Sequence, residues 1–205
     1  MVELVSFVLD DAQEVWTRLL PGQYREAKLV LFRRGVESGC GIAPSEVGPF
    51  YCPADEKVYI DLSFFDDLHR RFSAPGDFAQ AYVLAHEIGH HVQRVTGTEQ
   101  RVRQMQASRP GMKNELSVRM ELQADCYAGV WGNSTSQRRI LEQGDVDEAL
   151  RAASAIGDDR LQRRSGGTVN PDSFTHGTSA QRATWFKRGM ESGDPRSCDT
   201  FAGGI

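Results

Sequence analysis

The segment His86-Glu87-Ile88-Gly89-His90 has the spacing His-Glu-x-x-His. On an α-helix, residues four apart share a face, so both imidazoles can reach one ion. Zinc accepts such nitrogens at about 2.0–2.1 Å. Glu87 lies about 100° further round the helix, where it can take the proton of a water that the ion activates. That chemistry hydrolyses acyl bonds, peptide bonds above all. The competing reading is two unrelated core or surface histidines beside a glutamate.

A catalytic zinc needs a third protein ligand and one open position. One class of zinc peptidase places a third His six residues after the motif, preceded by a Gly. Here those positions are Thr96 and Gln93, which excludes that class. Glu121-Leu122-Gln123-Ala124-Asp125 offers a carboxylate instead, roughly thirty residues downstream in a second predicted helix. Ser117, Glu121, Ala124, Asp125 and Ala128 share one face, and their small side chains predict close approach to another backbone. Carboxylates at i and i+4 repel unless a cation lies between them. Glu121 is therefore the expected third ligand. Asp125 is the expected acceptor for the far ring nitrogen of a ligating His, a bond that fixes its tautomer. The alternative is a solvated acidic stripe paired with Arg119.

Attack on a peptide carbonyl also calls for donors to the oxyanion. His176, in a loop just before Thr178 caps a helix, and Arg182 on that helix's first turns are the candidates. Their plain alternatives are a surface His and a helix-surface Arg. His91 points away from His86 and His90 and reads as a packed neighbour. Tyr82, one turn before His86, reads as core.

These groups need elements to hold them. Ala12, Val15, Trp16 and Leu19 give a short helix over 11–19. Lys28–Phe32 and Lys57–Asp61 read as strands, with a loop rich in Gly, Pro and Cys between them. Asp61 caps a helix to about Phe72, stopped by Ser-Ala-Pro-Gly at 73–76. Asp77 with Gln80 forms a capping box for the motif helix, which runs to Val95. A mobile, polar loop follows over 97–113. The next helix covers about Asn114–Trp131 and ends in Gly132-Asn133. Asp145 with Glu148 starts a helix towards Leu161. Residues 164–177 form a loop beside the site, and Thr178 with Gln181 starts a last helix ending near Gly189. Strands first and helices after give an α+β chain with a small N-terminal sheet and a mostly helical remainder. It reads as a single domain over 1–205, with 1–27 as a lead-in. The segment Val58–Asp61 is the expected edge for an extended substrate to pair with.

Composition bounds the class. The chain has 205 residues, 40% apolar and 25% charged, enough to bury a core without a metal to fold it. No apolar run is long enough to span a membrane. A net charge of −4 lacks the basic footprint of a nucleic-acid binder. The expected partner is a peptide or protein substrate. Four cysteines allow three pairings. Cys40 and Cys52 flank a turn-rich loop whose ends could meet, which would leave Cys126 to Cys198. An even count fits an oxidising compartment, and free buried thiols in a cytoplasmic protein fit it as well. The opening Met1-Val2-Glu3-Leu4 has no leader pattern, so the chain reads either as cytoplasmic or as starting after a removed leader.

At this point the chain resembles the neutral zinc metallopeptidases of the YpfJ-like family. The resemblance rests on Gly48-Pro-Phe-Tyr-Cys-Pro-Ala-Asp, Asp61-Leu-Ser-Phe-Phe and the run from Pro75 through His86-Glu-Ile-Gly-His-His-Val-Gln. It continues in Glu121-Leu-Gln-Ala-Asp-Cys-Tyr-Ala-Gly-Val-Trp and Phe174-Thr-His-Gly-Thr-Ser-Ala-Gln-Arg. It implies a zincin-like domain of the Glu-ligand (gluzincin) kind, with Zn2+ on His86, His90 and Glu121 and Glu87 as catalyst. Thr175-His176 with Arg182 is similar to the His-Pro…Arg element of prenyl-protein-processing and membrane-quality-control zinc peptidases, with Gly177 in place of the Pro. The resemblance further implies an N-terminal membrane anchor ahead of this region, an extracytoplasmic location and disulfide-bonded cysteines. Two rival functions stand beside peptidase: a zinc-binding scaffold without turnover, and a zinc amidase acting on cell-wall peptides. Glu87 counts against the first, since a structural site has no use for a base. Zinc chemistry does not separate the second from a peptidase.

Overall fold

The computed structural model describes residues 2–44, 48–70, 76–164 and 168–205. An amphipathic helix, α1 (Val2–Leu19), turns Val5, Val8, Ala12, Val15 and Trp16 inward onto the motif helix. It starts well before the expected 11–19, because its apolar period begins at Val5. β1 (Lys28–Phe32) follows, then a hairpin of β2 (Gly35–Ser38) and β3 (Gly41–Pro44), then β4 (Phe50–Cys52) and β5 (Lys57–Asp61). The expected loop between the two foreseen strands thus holds three more strands, each only three or four residues long.

β5 lies between β1, to which it is parallel, and β4, to which it is antiparallel. Both edges of β5 are therefore paired, which corrects the expectation that Val58–Asp61 offers an edge. The outer strands of this sheet are β1 and β4. Asp61 Oδ1 accepts from the Ser63 amide at 2.8 Å and so starts α2 (Leu62–Arg70) as expected. The expected stop at 73–75 lies outside the described residues.

The motif helix, α3 (Asp77–Val95), is buried on most of its circumference. Its N-cap is Gly76, not Asp77, and the expected capping box does not form. Gly76 sits at φ 124°, and a Cβ there would collide with the Glu148 carboxylate. Helix contact thus decides what occupies that cap. Residues 98–108, expected as loop, form α4 (Thr98–Ser108), with Val102 buried and Glu99 paired to Arg94 and Arg103. Its apolar content is too sparse to show as a period.

α5 (Lys113–Gln137) continues past Gly132, the expected end. Gly129 and Gly132 are there for packing, facing Phe186 and Met190 of α8 (Ser179–Ser192), and Gly189 returns the contact against the Cys126 carbonyl. Backbones that close leave no room for a Cβ. α6 (Asp145–Ala155) also lacks its expected capping box: its N-cap is Gly144, and Asp145 Oδ2 accepts the Glu142 amide instead. The helix breaks at Gly157, where Ser179 crowds the Cβ position, and restarts as α7 (Asp158–Arg164). The capping box of α8, Thr178 with Gln181, forms as expected.

Disulfides join Cys40 to Cys52 and Cys126 to Cys198, with Cα separations of 5.8 and 5.5 Å. The first ties the hairpin to β4, and the second ties the C-terminal tail to α5. Closing 12 and 72 residues, they restrict the unfolded chain by about 3 and about 4.5 kcal/mol in the loop-entropy model. Among the described residues, no helix is long and apolar enough to cross a membrane.

Candidate metal centre

α3 and α5 meet where Gly89 faces Ala124: a Cβ on Gly89 would lie 2.8 Å from the Ala124 carbonyl oxygen. The small residues predicted to allow close approach do so here. This contact brings the His86 and His90 face of α3 onto the Glu121 and Asp125 face of α5. One donor atom each from His86, His90 and Glu121 lies within 4.8 Å of the other two.

Hydrogen bonding behind the imidazoles decides which nitrogen faces Glu121. Asp125 is fully buried, and its Oδ1 lies 2.8 Å from His86 Nδ1. A carboxylate only accepts, so Nδ1 of His86 carries a proton, and Nε2 is the atom left to give a lone pair to an ion. For His90, the partner is Gln93. Gln93 Nε2 donates to the Met120 carbonyl at 2.7 Å, which leaves Oε1 to accept from His90 Nδ1 at 2.9 Å. His90 Nε2 is then also a lone-pair donor atom. Both Nε2 atoms converge on Glu121, at 3.2 Å from Oε2 and 3.4 Å from Oε1.

Lone pairs facing lone pairs repel unless a cation or proton lies among them. A tetrahedral ion with bonds of about 2.0–2.1 Å has ligand–ligand edges of roughly 3.3–3.4 Å. The spacing and the chemistry of the donor set therefore fit zinc.

Charge in this pocket is finely opposed. Burial works against the Glu121 carboxylate, yet the two imidazoles outweigh it and hold its pKa well below the usual range. Burial also pulls on His86, but Asp125 and Glu121 outweigh it and push the imidazole up to about 10. His90 is likewise raised, Glu121 overcoming burial. The field that favours a proton on these rings is the field that favours a cation between them. Glu87 is 7% exposed at the cleft, and its burial raises its pKa despite both histidines.

Arg182 is 2% exposed and donates Nε to Asp125 Oδ2 at 2.8 Å and Nη2 to Oδ1 at 2.9 Å. Its Nε and Nη2 are thus spent on a buried carboxylate, while the side chain also lines the cleft. Tyr82 is fully buried, as expected of core, but its hydroxyl donates to Asp125 Oδ1 at 2.5 Å. Burial opposes the Asp125 carboxylate, and Arg182 and His86 outweigh it and lower its pKa.

His176 lies at the cleft wall with half of its side chain exposed. Its Nδ1 is 3.1 Å from Asp158 Oδ1, while Asp158 Oδ2 accepts the amides of Thr175, His176 and Gly177 at 2.7, 2.6 and 3.1 Å. The Asp158 bond raises the His176 pKa against burial. His91, as expected, turns away: it is bonded between Tyr51 and the Arg25 carbonyl.

Sequence reasoning missed two residues here. Gln93 entered it only as the place of a missing His. Its spacing of three from His90, one turn away on the same face, is the signal that could have found it. Asp158 carried no signal, since only the break at Gly157 brings it to a His eighteen residues later.

Above these groups opens a cleft of about 1010 Å³. Phe50 and Tyr51 of β4, the flanking Pro49 and Pro53, and Glu87, His176 and Arg182 are among the residues that line it. Two histidines and a glutamate on paired helices, with a second glutamate beside the first histidine, make a donor set that could hold one metal ion. The chain belongs to the family described as "Putative neutral zinc metallopeptidase", which it matches over residues 1–201.

Two relatives illustrate its reach. It is 55% identical over 207 residues to the uncharacterized protein YpfJ of Escherichia coli (strain K12), covering 99% of this chain and 72% of that protein. It is 47% identical over 199 residues to the uncharacterized protein Rv2575 of Mycobacterium tuberculosis, covering 92% of this chain and 66% of that protein. No solved structure matches the chain.

Proposed function

We propose that the protein hydrolyses peptide bonds, with Zn2+ held by Nε2 of His86, Nε2 of His90 and the Glu121 carboxylate. The observation that carries this reading is the convergence of one donor atom each from His86, His90 and Glu121 within 4.8 Å, beside the buried Glu87. When bound, zinc supplies Lewis acidity, bringing the pKa of a coordinated water towards neutrality. Glu87 takes the proton of the attacking water and hands it on to the leaving amine. Asp125 and Gln93 hold the two imidazoles in the tautomers that point Nε2 at the ion.

Arg182 acts through Asp125, keeping it ionised. His176, oriented by Asp158, turns Nε2–H to the oxyanion that develops on the carbonyl. The free edge of β4 pairs with the backbone of an extended substrate. Both disulfides support an oxidising, extracytoplasmic compartment. A membrane anchor in the full-length protein belongs to the same proposal, and fractionation of that protein tests it.

The deciding experiment compares wild type with Glu87→Gln on an unstructured protein and a peptide library, with metal content measured in both. The expected result is one zinc per chain in each and a loss of cleavage of about 10²–10⁴-fold in the variant. Zinc in both with cleavage by neither turns the reading into that of a binding module.

A further inference from the structure

Gln93 spends its whole amide. Its Oε1 accepts from His90 Nδ1, and Nε2 donates to the Met120 carbonyl at 2.7 Å and to Gln123 Oε1 at 3.2 Å. Gln123 in turn donates Nε2 to the Cys198 carbonyl at 3.0 Å. Both glutamines are buried, at 0% and 5% exposure. A continuous line of hydrogen bonds therefore runs from a metal-facing imidazole, through two amides, to the C-terminal tail.

The direction of that line is set at its far end. A carbonyl only accepts, so Gln123 turns its NH2 to Cys198 and its oxygen to Gln93. Turned over, Gln123 would set oxygen against oxygen at Cys198 and NH2 against NH2 at Gln93. Two anchors hold that carbonyl in place. The Cys198 sulfur is bonded to Cys126, one helical turn along α5 from Gln123. Two residues further on, Thr200 Oγ1 donates to the Arg119 carbonyl at 2.7 Å, and Arg119 Nη1 donates back to the Thr200 carbonyl. Gln123 and the tail residues Pro195, Asp199 and Phe201 also line a second cavity, of about 590 Å³. A tail that lifted away would hand Gln123 to water, which donates and accepts alike and imposes no direction.

We infer that Gln123 is a positioning residue of the metal centre, and that the disulfide-anchored tail acts on His90 through it. This rests on the metal half of the reading above. The tail keeps Gln93 Oε1 on His90 Nδ1, and so keeps Nε2 aimed at the donor set. Gln123 stands one bond behind the partner of the ligand, and Gln93 keeps its bond to Met120 without it. Losing Gln123 is therefore expected to cost about three- to ten-fold in zinc affinity, less than the roughly 10–100-fold of partners that touch a ligand directly.

Competition with a chelator tests this without turnover. Gln123→Met removes both bonds and leaves both disulfides, and zinc affinity is expected to fall by about three- to ten-fold. The readout at the ring is the His90 Nδ1–H signal in zinc-loaded, isotope-labelled protein, whose exchange with water is expected to quicken. Cys126→Ala with Cys198→Ala is expected to weaken zinc in the same direction. Adding Gln123→Met to that pair is expected to cost less than it costs in wild type, because both changes break one line.

Unchanged affinity in Gln123→Met, a fall that leaves the His90 signal as it was, or a Gln123→Met loss undiminished in the cysteine variant would each overturn the inference. The first two measurements decide the matter if the cysteine variant does not fold. Wild type that takes up no zinc overturns the metal reading and the inference with it. Zinc affinity that responds to Gln123, in a protein that cleaves nothing, overturns the peptidase reading alone.

Discussion

Among the described residues a histidine Nδ1 faces an aspartate twice, under the floor of the cleft and at its rim. The distances are similar, 2.8 Å for His86 with Asp125 and 3.1 Å for His176 with Asp158. The surroundings are opposite. Asp125 is fully buried, and its remaining contacts are side chains: Tyr82 gives a hydroxyl and Arg182 gives a full positive charge. Asp158 leans on three backbone amides, and its histidine is half exposed.

A buried ring whose proton is fixed by a paired carboxylate makes a steady ligand. A ring at the surface, on a carboxylate that only amides neutralise, is free to exchange its second proton with solvent. In the function proposed above, one pair of residue types serves as scaffold in one place and as oxyanion donor in the other, and the difference lies in what holds the aspartate.

Removing what holds it should have the largest effect. Arg182→Met leaves the Asp125 carboxylate buried without a countercharge, and breaking such a pair costs about 3–5 kcal/mol. Urea unfolding is expected to show that loss, and Arg182→Met with Asp125→Asn is expected to recover a large part of it. A loss under about 1 kcal/mol would mean the buried pair is no more dependent on Arg182 than the rim pair is on any side chain.

His176→Ala comes next and should separate the two pairs cleanly. Loss of an oxyanion donor costs about 10²–10³-fold in kcat. Zinc content is expected to stay at the wild-type value, because His176 is outside the donor set, and the unfolding free energy to fall only by the small worth of its partly exposed ion pair with Asp158. A fall in zinc affinity would erase the distinction between rim and floor.

Asp125→Asn is subtler. The amide can keep the shape but presents a mixed donor and acceptor to His86, so the tautomer is no longer imposed. Zinc affinity, measured by competition with a chelator, is expected to drop about 10–100-fold. Gln93→Ala is expected to act in the same direction through His90, by less, since a neutral acceptor fixes a ring more weakly than a carboxylate.

The floor pair was largely legible in the sequence and the rim pair only by half. His86, His90, Glu121 and Asp125 sit on two helices, and helical spacing of four fixes which residues share a face before any fold is known. The small residues around Ala124 even announced the close contact with Gly89. His176 was picked out by its place before a capped helix, but its partner was not. Asp158 reaches it through a helix break, a tertiary event with no period of its own. The same divide runs through the fold. The capping box of α8 was legible at Thr178 and Gln181, whereas those at Asp77 and Asp145 gave way to Gly76 and Gly144. Arg182 was legible as a residue of the site, but its bond to the buried Asp125 was not, because nothing local says that a helix's first turn meets a buried carboxylate.

The smallest expected effect concerns pH and belongs to the rim pair alone. Asp158 raises the His176 pKa above its ordinary value of 6.5, and a donor to the oxyanion has to be protonated to add its charge. The contribution of His176 to kcat/KM is then complete at and below that ordinary value and lost as pH rises through the raised one. Asp158→Asn removes the carboxylate, so the basic limb of the kcat/KM profile is expected to move to lower pH while zinc content stays unchanged.

Stability follows the same signs. A group whose folded pKa is raised stabilises the fold below its unfolded pKa and loses that as pH climbs through the folded one. Asp158 is lowered from 3.8, because His176 and the amides outweigh its burial, so its contribution holds above 3.8 and is lost as pH falls through the lowered value. The ion pair therefore adds most between the two ordinary values, and Asp158→Asn is expected to flatten the pH dependence of the unfolding free energy at both ends of that window. An Asp158→Asn protein whose basic limb stays in place would show that His176 is not the group titrating there, and the rim pair would then be structural like the one beneath it.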